Sequence, residues 1–231
     1  IINIRFMRHI KQLGMNPIFI TNRVELQQFF TRNGFQTVSN KFEVPEDSEF
    51  CLAMFLPILL NVKPEDLWNG PYLTPDPTYV EKWKTTFDEM GITGKKVGLR
   101  WSGNQYYEAN LSRTLPLDEL NKVLDFNRTD VTFISVQRED NEALQDYPTI
   151  KHVHTETVED LLAVLSLMDT TISSCTSIAH FAAAAGLNLH VCPPLSTYYT
   201  WLGTTKWYGE NCNIHRQTKH KDYSHLSTIT L

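Results

Sequence analysis

A chain of 231 residues with 42% hydrophobic and 20% charged residues is long enough for one large or two small globular domains, and its apolar content excludes extensive disorder. The formal net charge of −5, with lysines and arginines scattered along the chain, excludes the basic face that sequence-independent nucleic-acid binding requires. The longest apolar run, residues 50–60, is about half of the ~20 residues needed to cross a bilayer, so we expect no transmembrane segment.

The first ninety residues alternate between helical and strand patterns. Apolar spacing predicts helices at residues 4–13, 23–31 and 79–90 and short strands at residues 17–21 and 35–38. Residues 50–56 predict a third strand, for which a helix stays the alternative because the run is short. Repeated prolines between residues 63 and 77 indicate an irregular connection. We interpret residues 1–90 as an N-terminal domain.

The second block is a regular alternation of short strands and longer helices. The predicted strands are residues 97–101, 131–136, 170–174 and 189–192, and the predicted helices are residues 117–126, 157–168 and 177–185. Such an alternation is typical of right-handed βαβ units, and therefore of an open, doubly wound parallel sheet. We interpret residues 91–215 as a C-terminal Rossmann-like domain, and residues 216–231 as a tail that packs back toward the N-terminal domain.

Polar side chains follow three of these predicted strands. Ser102 and Asn104 come after the first strand, Gln137 after the second, and Cys175 and Thr176 after the third. The carboxyl ends of parallel strands meet at one edge of a sheet, where open α/β folds bind their ligands. The sequence therefore predicts a ligand crevice at this edge.

The third strand end suggests which ligand the crevice takes. The helix that begins there carries hydroxyls at Thr176 and Ser177, and a helix N-terminus suits phosphate or diphosphate, although either hydroxyl could simply cap the helix. Arg113, in the polar loop after the first strand, could pair with phosphate oxygens or be an ordinary surface arginine. His180 could donate to a ligand or be a core histidine, and Gln137 could contact a nucleobase or cap a turn.

Other chemistries have no support in the sequence. No GxGxxG turn opens a predicted βαβ unit, and GxSxG, HExxH and DxD motifs are absent. The cysteines lack CxxC and Cys/His metal spacing and are expected to be free thiols in a reducing, cytoplasmic setting; they are Cys51, Cys175, Cys192 and Cys212. We expect neither a cofactor nor a bound metal ion.

Five separated motifs together resemble one family. They are residues 97–104, 112–117, 133–137 and 172–186, and the tail pairs 201–202, 207–208 and 216–217. Their order and spacing are similar to the heptosyltransferase-like glycosyltransferases of the family 9 type, particularly those joined to tetratricopeptide repeats, and the resemblance covers about residues 50–217. It implies a GT-B architecture, in which two Rossmann-like domains face a cleft and the C-terminal domain holds a nucleotide sugar.

The resemblance also implies roles for individual residues. Arg113 and His180 would stabilise the departing nucleoside diphosphate, and Gln137 would lie near the nucleoside. The full set that it implies for donor binding is Trp101, Ser102, Asn104, Arg113, Gln137, Cys175, Thr176, Ser177 and His180.

Two departures from the family pattern concern catalysis. Cys175 stands where the family usually has aspartate, so that carboxylate contact is lost. The family's first strand and its glycine-aspartate loop should precede Ile4, where only residues 1–3 are present, so we expect an incomplete N-terminal domain. The aspartate expected there as the catalytic base is not in this sequence.

Three functions are compatible with these observations. The first is an inverting, metal-independent glycosyltransferase that uses a nucleotide-diphosphate sugar, with a saccharide, a lipid-linked glycan or a protein as acceptor. The second is a non-catalytic nucleotide-sugar-binding module, which the missing base and Cys175 both favour. The third is a sugar-nucleotide epimerase of the same architecture.

Overall fold

A six-stranded, entirely parallel sheet organises the second half of the chain. The structure is a computed structural model that describes residues 1–106, 110–138, 141–203 and 206–231. The strands are β1 (Phe19–Ile20), β2 (Thr37–Val38), β3 (Lys95–Arg100), β4 (Val131–Ser135), β5 (Lys151–His152), β6 (Thr170–Ser174), β7 (Leu189–Cys192) and β8 (Cys212–Ile214). The large sheet has the order β5-β4-β3-β6-β7-β8, and β1 pairs with β2 in a separate parallel sheet.

Helices connect these strands and cover both faces of the large sheet. The α-helices are α1 (Phe6–Gln12), α2 (Val24–Arg32), α3 (Leu56–Leu59), α4 (Pro77–Glu89), α5 (Asn110–Arg113), α6 (Leu117–Leu124), α7 (Val158–Ser166) and α8 (Ser177–Ala184). Short 3-10 turns lie at Ile2–Arg5, Lys41–Glu43, Ala53–Phe55, Pro64–Asp66, Asn141–Asp146, Tyr199–Trp201 and Ser224–Thr228. In the described ranges none of the helices is long and apolar enough to cross a membrane.

Local sequence explains why the principal helices form where they do. Thr157 and Asp160 form a reciprocal capping box that starts α7. Small alanine side chains let α8 pack closely on the sheet, and the helix ends before Gly186, whose φ of +70° favours glycine. The predicted strands and helices of residues 91–215 are confirmed as β3, α6, β4, α7, β6, α8 and β7, whereas α5 and the edge strands β5 and β8 were not predicted.

The predicted strand at residues 50–56 is wrong. The segment forms the 3-10 turn Ala53–Phe55, followed directly by α3. Pro57 stands in the first turn of α3, where its missing N–H costs no helical hydrogen bond, whereas in a strand it would remove a ladder bond. The short helix that the sequence left open as an alternative is therefore the observed structure.

Two apolar cores lie on opposite faces of the large sheet. Phe133 and Ile134 are consecutive in β4 and belong to different cores, because side chains alternate along a strand. The core that contains Ile134 also contains Phe29 and Phe87 from the first ninety residues and Phe181 from α8. One core thus crosses the expected division at residue 90, and the division itself stays a prediction.

The tail, residues 216–231, packs on the second half of the chain and not on residues 1–90. Leu226 and Ile229 are buried in the core of the other face, together with Leu120 of α6. The physical reason is that both side chains are apolar and are buried in the same core as Leu120 of α6 and Leu99 of β3. Residues 216–231 therefore complete the second half of the molecule, and the expectation that they return to residues 1–90 is corrected.

Candidate functional site

A cleft of about 600 Å³ opens at the carboxyl ends of the strands in the large sheet. One wall comes from the first ninety residues, and the others come from the segments that follow β3, β6 and β7. The lining residues are Ile1, Ile2, Asn3, Ile4, Phe19, Ala53, Ser112, Arg113, Cys175, Thr176, Ser177, His180, Pro194, Ser196, Thr197 and Tyr198. The cleft therefore occupies the edge of the sheet at which α/β folds bind ligands.

The N-terminus of α8 faces this cleft. Thr176 is the N-cap residue and has extended backbone, but its side chain makes no capping hydrogen bond. Its hydroxyl lies 3.3 Å from the Ser173 hydroxyl instead. Since the N-cap side chain does not cap the helix, the amide groups and the positive dipole end of α8 can serve a ligand. The alternative that Thr176 merely caps a core helix does not describe this arrangement.

Arg113 brings a positive charge to the same helix end. Its Nη1 donates to the Cys175 carbonyl at 3.2 Å, and its Nε donates to Asn110 Oδ1, also at 3.2 Å. Asn110 Oδ1 additionally accepts the Gly103 backbone N–H at 3.1 Å, which ties the loop after β3 to α5. A guanidinium and a helix N-terminus thus converge on one cleft, and both favour an anion.

His180 is one turn further along α8 and also lines the cleft. Its Nδ1 lies 2.9 Å from the Tyr208 hydroxyl, and its ring stacks on Trp201 with centroids 4.6 Å apart. Burial in this aromatic surrounding lowers the pKa of His180 to about 3. The imidazole is therefore neutral near pH 7, and it can exchange hydrogen bonds with a ligand without carrying a charge.

Cys175 lies between these groups as a half-buried thiol. Burial raises its pKa, so the thiol stays protonated near neutral pH. The Thr197 hydroxyl is 3.8 Å from its sulfur. The position where the resembled family usually has aspartate thus holds a neutral side chain here.

Four residues of the predicted set do not line the cleft. Trp101 is buried in the core beside α6. Gln137 and Ser102 are buried as a pair, because Gln137 Nε2 donates to the Ser102 hydroxyl at 2.7 Å. Asn104 is exposed and accepts the Tyr106 backbone N–H at 2.9 Å, so its side chain forms a local turn. The polar side chains that follow β3 and β4 therefore hydrogen-bond to each other, and this is why Ser102 and Gln137 do not reach the cleft.

Two parts of the lining were not predicted from the sequence. The loop after β7 contributes Pro194 and Tyr198, and the first half of the chain contributes Phe19 and Ala53. The β7 loop could have been found by the rule that located the other strand ends, since Pro193 marks where that strand stops. The contribution from the first half depends on tertiary packing and has no local signal.

The comparison with known proteins gives matches in structure and none in sequence. No family model matches the chain, and no curated protein is similar to it in sequence. A family 9 glycosyl transferase from Veillonella parvula aligns with a TM-score of 0.56 at 13% identity, over 99% of this chain and 74% of that chain. Escherichia coli ADP-heptose lipopolysaccharide heptosyltransferase II aligns with a TM-score of 0.51 at 9% identity, over 92% of this chain and 71% of that chain.

A third solved structure aligns over a smaller part of its length. E. coli heptosyltransferase WaaC with ADP-2-deoxy-2-fluoro heptose has a TM-score of 0.46 at 13% identity, and the match covers 78% of this chain. This chain spans 54% of the length of that protein. The first two alignments show that the chain has the heptosyltransferase-like α/β fold of glycosyltransferase family 9, as its motifs predicted.

Proposed function

We propose that this chain binds a nucleotide-diphosphate sugar in the cleft and acts as an inverting glycosyltransferase that needs no metal ion. The observation that carries the proposal is the contact between Arg113 Nη1 and the Cys175 carbonyl at 3.2 Å. It fixes a permanent cation at the N-terminus of α8, where the helix already favours negative charge. The shared fold supports the same assignment, because a solved structure with this fold is an ADP-heptose heptosyltransferase.

The arrangement suits the departure of a nucleoside diphosphate. As the bond between the anomeric carbon and the diphosphate breaks, negative charge develops on the phosphate oxygens. Fixed donors aimed at that charge stabilise the transition state without reorganising. In this cleft those donors are the Arg113 guanidinium and the first amides of α8, and they would do the work that a divalent cation does in metal-dependent transferases.

Inversion also requires a base that takes the proton from the acceptor hydroxyl. Among the described residues that line the cleft there is no aspartate or glutamate. His180, with a pKa of about 3, is a weak base. This observation favours a second candidate function, a module of the same fold that binds the nucleotide sugar and does not transfer it.

All four cysteines are free thiols, which supports a reducing, cytoplasmic setting for either function. The acceptor would lie toward the part of the lining to which Phe19 and Ala53 contribute. The acceptor would be a saccharide, a lipid-linked glycan or a protein.

Calorimetry with nucleotides tests donor binding. The wild type, Arg113→Ala and Arg113→Lys are titrated with ADP, UDP, GDP and AMP in the presence of EDTA. We expect a diphosphate to bind without metal, and Arg113→Ala to weaken it by about 1.5–3 kcal/mol, the usual worth of a hydrogen bond to a charged group. Arg128→Ala is the control, because Arg128 pairs with Asp130 on the surface and does not line the cleft. Equal nucleotide affinities of the wild type and Arg113→Ala would contradict the proposal that Arg113 is part of an anion site.

Turnover separates the two candidate functions. The wild type is incubated with the nucleotide sugar whose diphosphate binds best, and release of the diphosphate is followed with and without acceptor mixtures. A transferase gives release that depends on an acceptor, whereas a binding module gives none.

A further inference from the structure

One ring nitrogen of His180 is already occupied within the fold. Nδ1 lies 2.9 Å from the Tyr208 hydroxyl, and stacking on Trp201 fixes the plane of the ring. Nε2 is therefore the nitrogen that remains for a ligand. A neutral imidazole carries its proton on one nitrogen only, so the direction of the bond to Tyr208 decides whether Nε2 donates or accepts.

The buried positive charge of Arg5 decides which group donates in the hydrogen bond between Tyr208 and His180. Its side chain is buried, with 8% of the residue exposed, and its guanidinium carbon lies 4.7 Å from the centroid of the Tyr208 ring. Arg5 donates to the Tyr72 hydroxyl at 2.9 Å and to the carbonyls of Leu67 and Trp207. In the described part of the chain no carboxylate forms an ion pair with Arg5, so its field acts on the neighbouring phenols largely uncompensated.

A buried cation orients a neighbouring hydroxyl dipole with the oxygen toward it and the hydrogen away. The link to Tyr208 runs through Tyr72, whose hydroxyl accepts from Arg5 and is also hydrogen-bonded to the Tyr208 hydroxyl. With its oxygen turned toward Arg5, Tyr72 donates its proton to the Tyr208 oxygen, and the Tyr208 O–H is left to donate to His180 Nδ1. Burial raises the pKa of Tyr208 well above its usual value, so the phenol keeps the proton that it donates. The reverse bond, from Nδ1–H to the phenol oxygen, would turn the Tyr208 proton toward Tyr72, whose own proton would then have no acceptor in this chain of hydrogen bonds, because its oxygen already faces Arg5.

We propose that Arg5 and Tyr208 are positioning residues that hold His180 as its Nε2–H tautomer, so that it presents a hydrogen-bond donor to an anionic oxygen in the cleft. Assigning that oxygen to the diphosphate of a nucleotide sugar rests on the proposed function. The tautomer itself does not depend on it. In this state His180 has no lone pair toward the ligand and does not serve as the base for an acceptor hydroxyl.

Nitrogen-15 NMR of histidine-labelled, ligand-free protein tests the tautomer directly. Long-range proton–nitrogen correlations distinguish the two neutral forms, and the His180→Gln variant identifies the His180 signals among the eight histidines. We expect the Nε2–H pattern from pH 5 to pH 8 in the wild type. Tyr208→Phe should give a mixture of tautomers, because the ring remains and the donor is lost.

Two further variants separate positioning from packing. Arg5→Met removes the charge at similar length and should also give a mixture, whereas Arg5→Lys keeps the charge and should retain the wild-type pattern. Tyr147→Phe is the control, because its ring packs on Phe126 in the core on the other face of the sheet, and it should leave the His180 pattern unchanged. ADP affinity should fall about tenfold in Tyr208→Phe, the loss of roughly one oriented hydrogen bond to a charged group.

The Nδ1–H tautomer in the wild type, or an unchanged pattern in Tyr208→Phe or Arg5→Met, would overturn the inference. If Tyr208→Phe does not fold, the wild-type tautomer and the Arg5 pair decide the matter. A wild type that shows Nε2–H but binds no nucleotide would contradict the proposed function and leave this inference standing. A wild type that binds nucleotide but shows the Nδ1–H form would support the proposed function and overturn this inference.

Discussion

The Arg113 guanidinium occupies the space that a side chain on residue 103 would need. A Cβ added to Gly103 would lie 2.1 Å from Arg113 Nη2 and 2.6 Å from its guanidinium carbon, far inside van der Waals contact. Glycine at this position therefore permits the close approach of the loop after β3 to Arg113. The anion site therefore depends on Gly103, although glycine has no side chain that could contact a ligand.

The first prediction follows from this contact. Gly103→Ala should displace the arginine and weaken nucleoside-diphosphate binding about as much as Arg113→Ala does, by about 1.5–3 kcal/mol. Calorimetry with the best nucleotide measures the effect. In the Arg113→Ala background the glycine substitution should add nothing, because both changes remove the same interaction. Additive losses in the double variant would show that Gly103 acts by another route.

The second prediction concerns Gln137, which is fully buried. Gln137→Ala leaves the Ser102 hydroxyl without its 2.7 Å donor, and we expect the free energy of unfolding to fall by about 1–3 kcal/mol, as measured by urea denaturation. Nucleotide affinity should stay within about twofold, because Gln137 does not line the cleft. A large loss of affinity at unchanged stability would contradict this and assign Gln137 to the ligand.

The third prediction tests how the first half of the chain is attached to the second. Asp160 Oδ1 accepts from Lys82 Nζ at 2.8 Å and from Trp83 Nε1 at 2.9 Å, which joins α4 to α7. Burial by itself raises the pKa of Asp160, but hydrogen bonds from Lys82, Thr157 and Trp83 bring it below its usual value. Asp160→Asn should lower the free energy of unfolding by about 1–3 kcal/mol.

Lys82→Met is the matched control for that experiment. The Lys82 side chain is 57% exposed, so its loss should cost no more than about 1 kcal/mol. Urea denaturation of both variants at pH 7 compares them. If the two substitutions cost the same, the ion pair alone would account for the effect, and the buried bonds to Trp83 and Thr157 would contribute little.

The fourth prediction is a loss of stability in mild acid. Burial lowers the pKa of His180 to about 3 and of His215 to about 4, both from 6.5. Below pH 6.5 the unfolded chain therefore takes up protons that the folded protein does not. Each histidine should reduce the free energy of unfolding by up to about 1.4 kcal/mol per pH unit between pH 6.5 and 5, with full stability above pH 6.5.

His215 gives a specific test of this dependence. Its Nε2 lies 2.8 Å from Nδ1 of His190, and both rings are buried. His215→Gln should lower stability at pH 7.5 and flatten the fall between pH 6.5 and 5. His220→Gln, at an exposed position, should leave the slope unchanged. A wild-type unfolding free energy that is constant over this pH range would contradict the prediction.

The sequence predicted the sheet more fully than the site, and particular residues explain why. The principal strands and helices from residue 95 to residue 192 follow from local spacing, whereas the short elements α5 and β5 were not predicted. Arg113 and Thr176 were found because each stands next to a recognisable strand end or helix start. Gln137 and Ser102 have the same local signal but pair with each other, and only the register between β3 and β4 reveals this. Residues 207–208 belong to the motifs of the resemblance, but nothing in the local sequence links Tyr208 to His180 or to Arg5. Arg5 lies about two hundred residues before Tyr208 in the chain, so only the tertiary structure brings the two together.

The packing of Phe29 against Phe181, with ring centroids 5.7 Å apart, has a consequence for how the molecule melts. Since one apolar interior spans both halves, a scanning calorimeter should record a single endotherm. Cleavage of the chain near residue 92 would give two fragments that each expose apolar core surface, and neither fragment should fold stably alone.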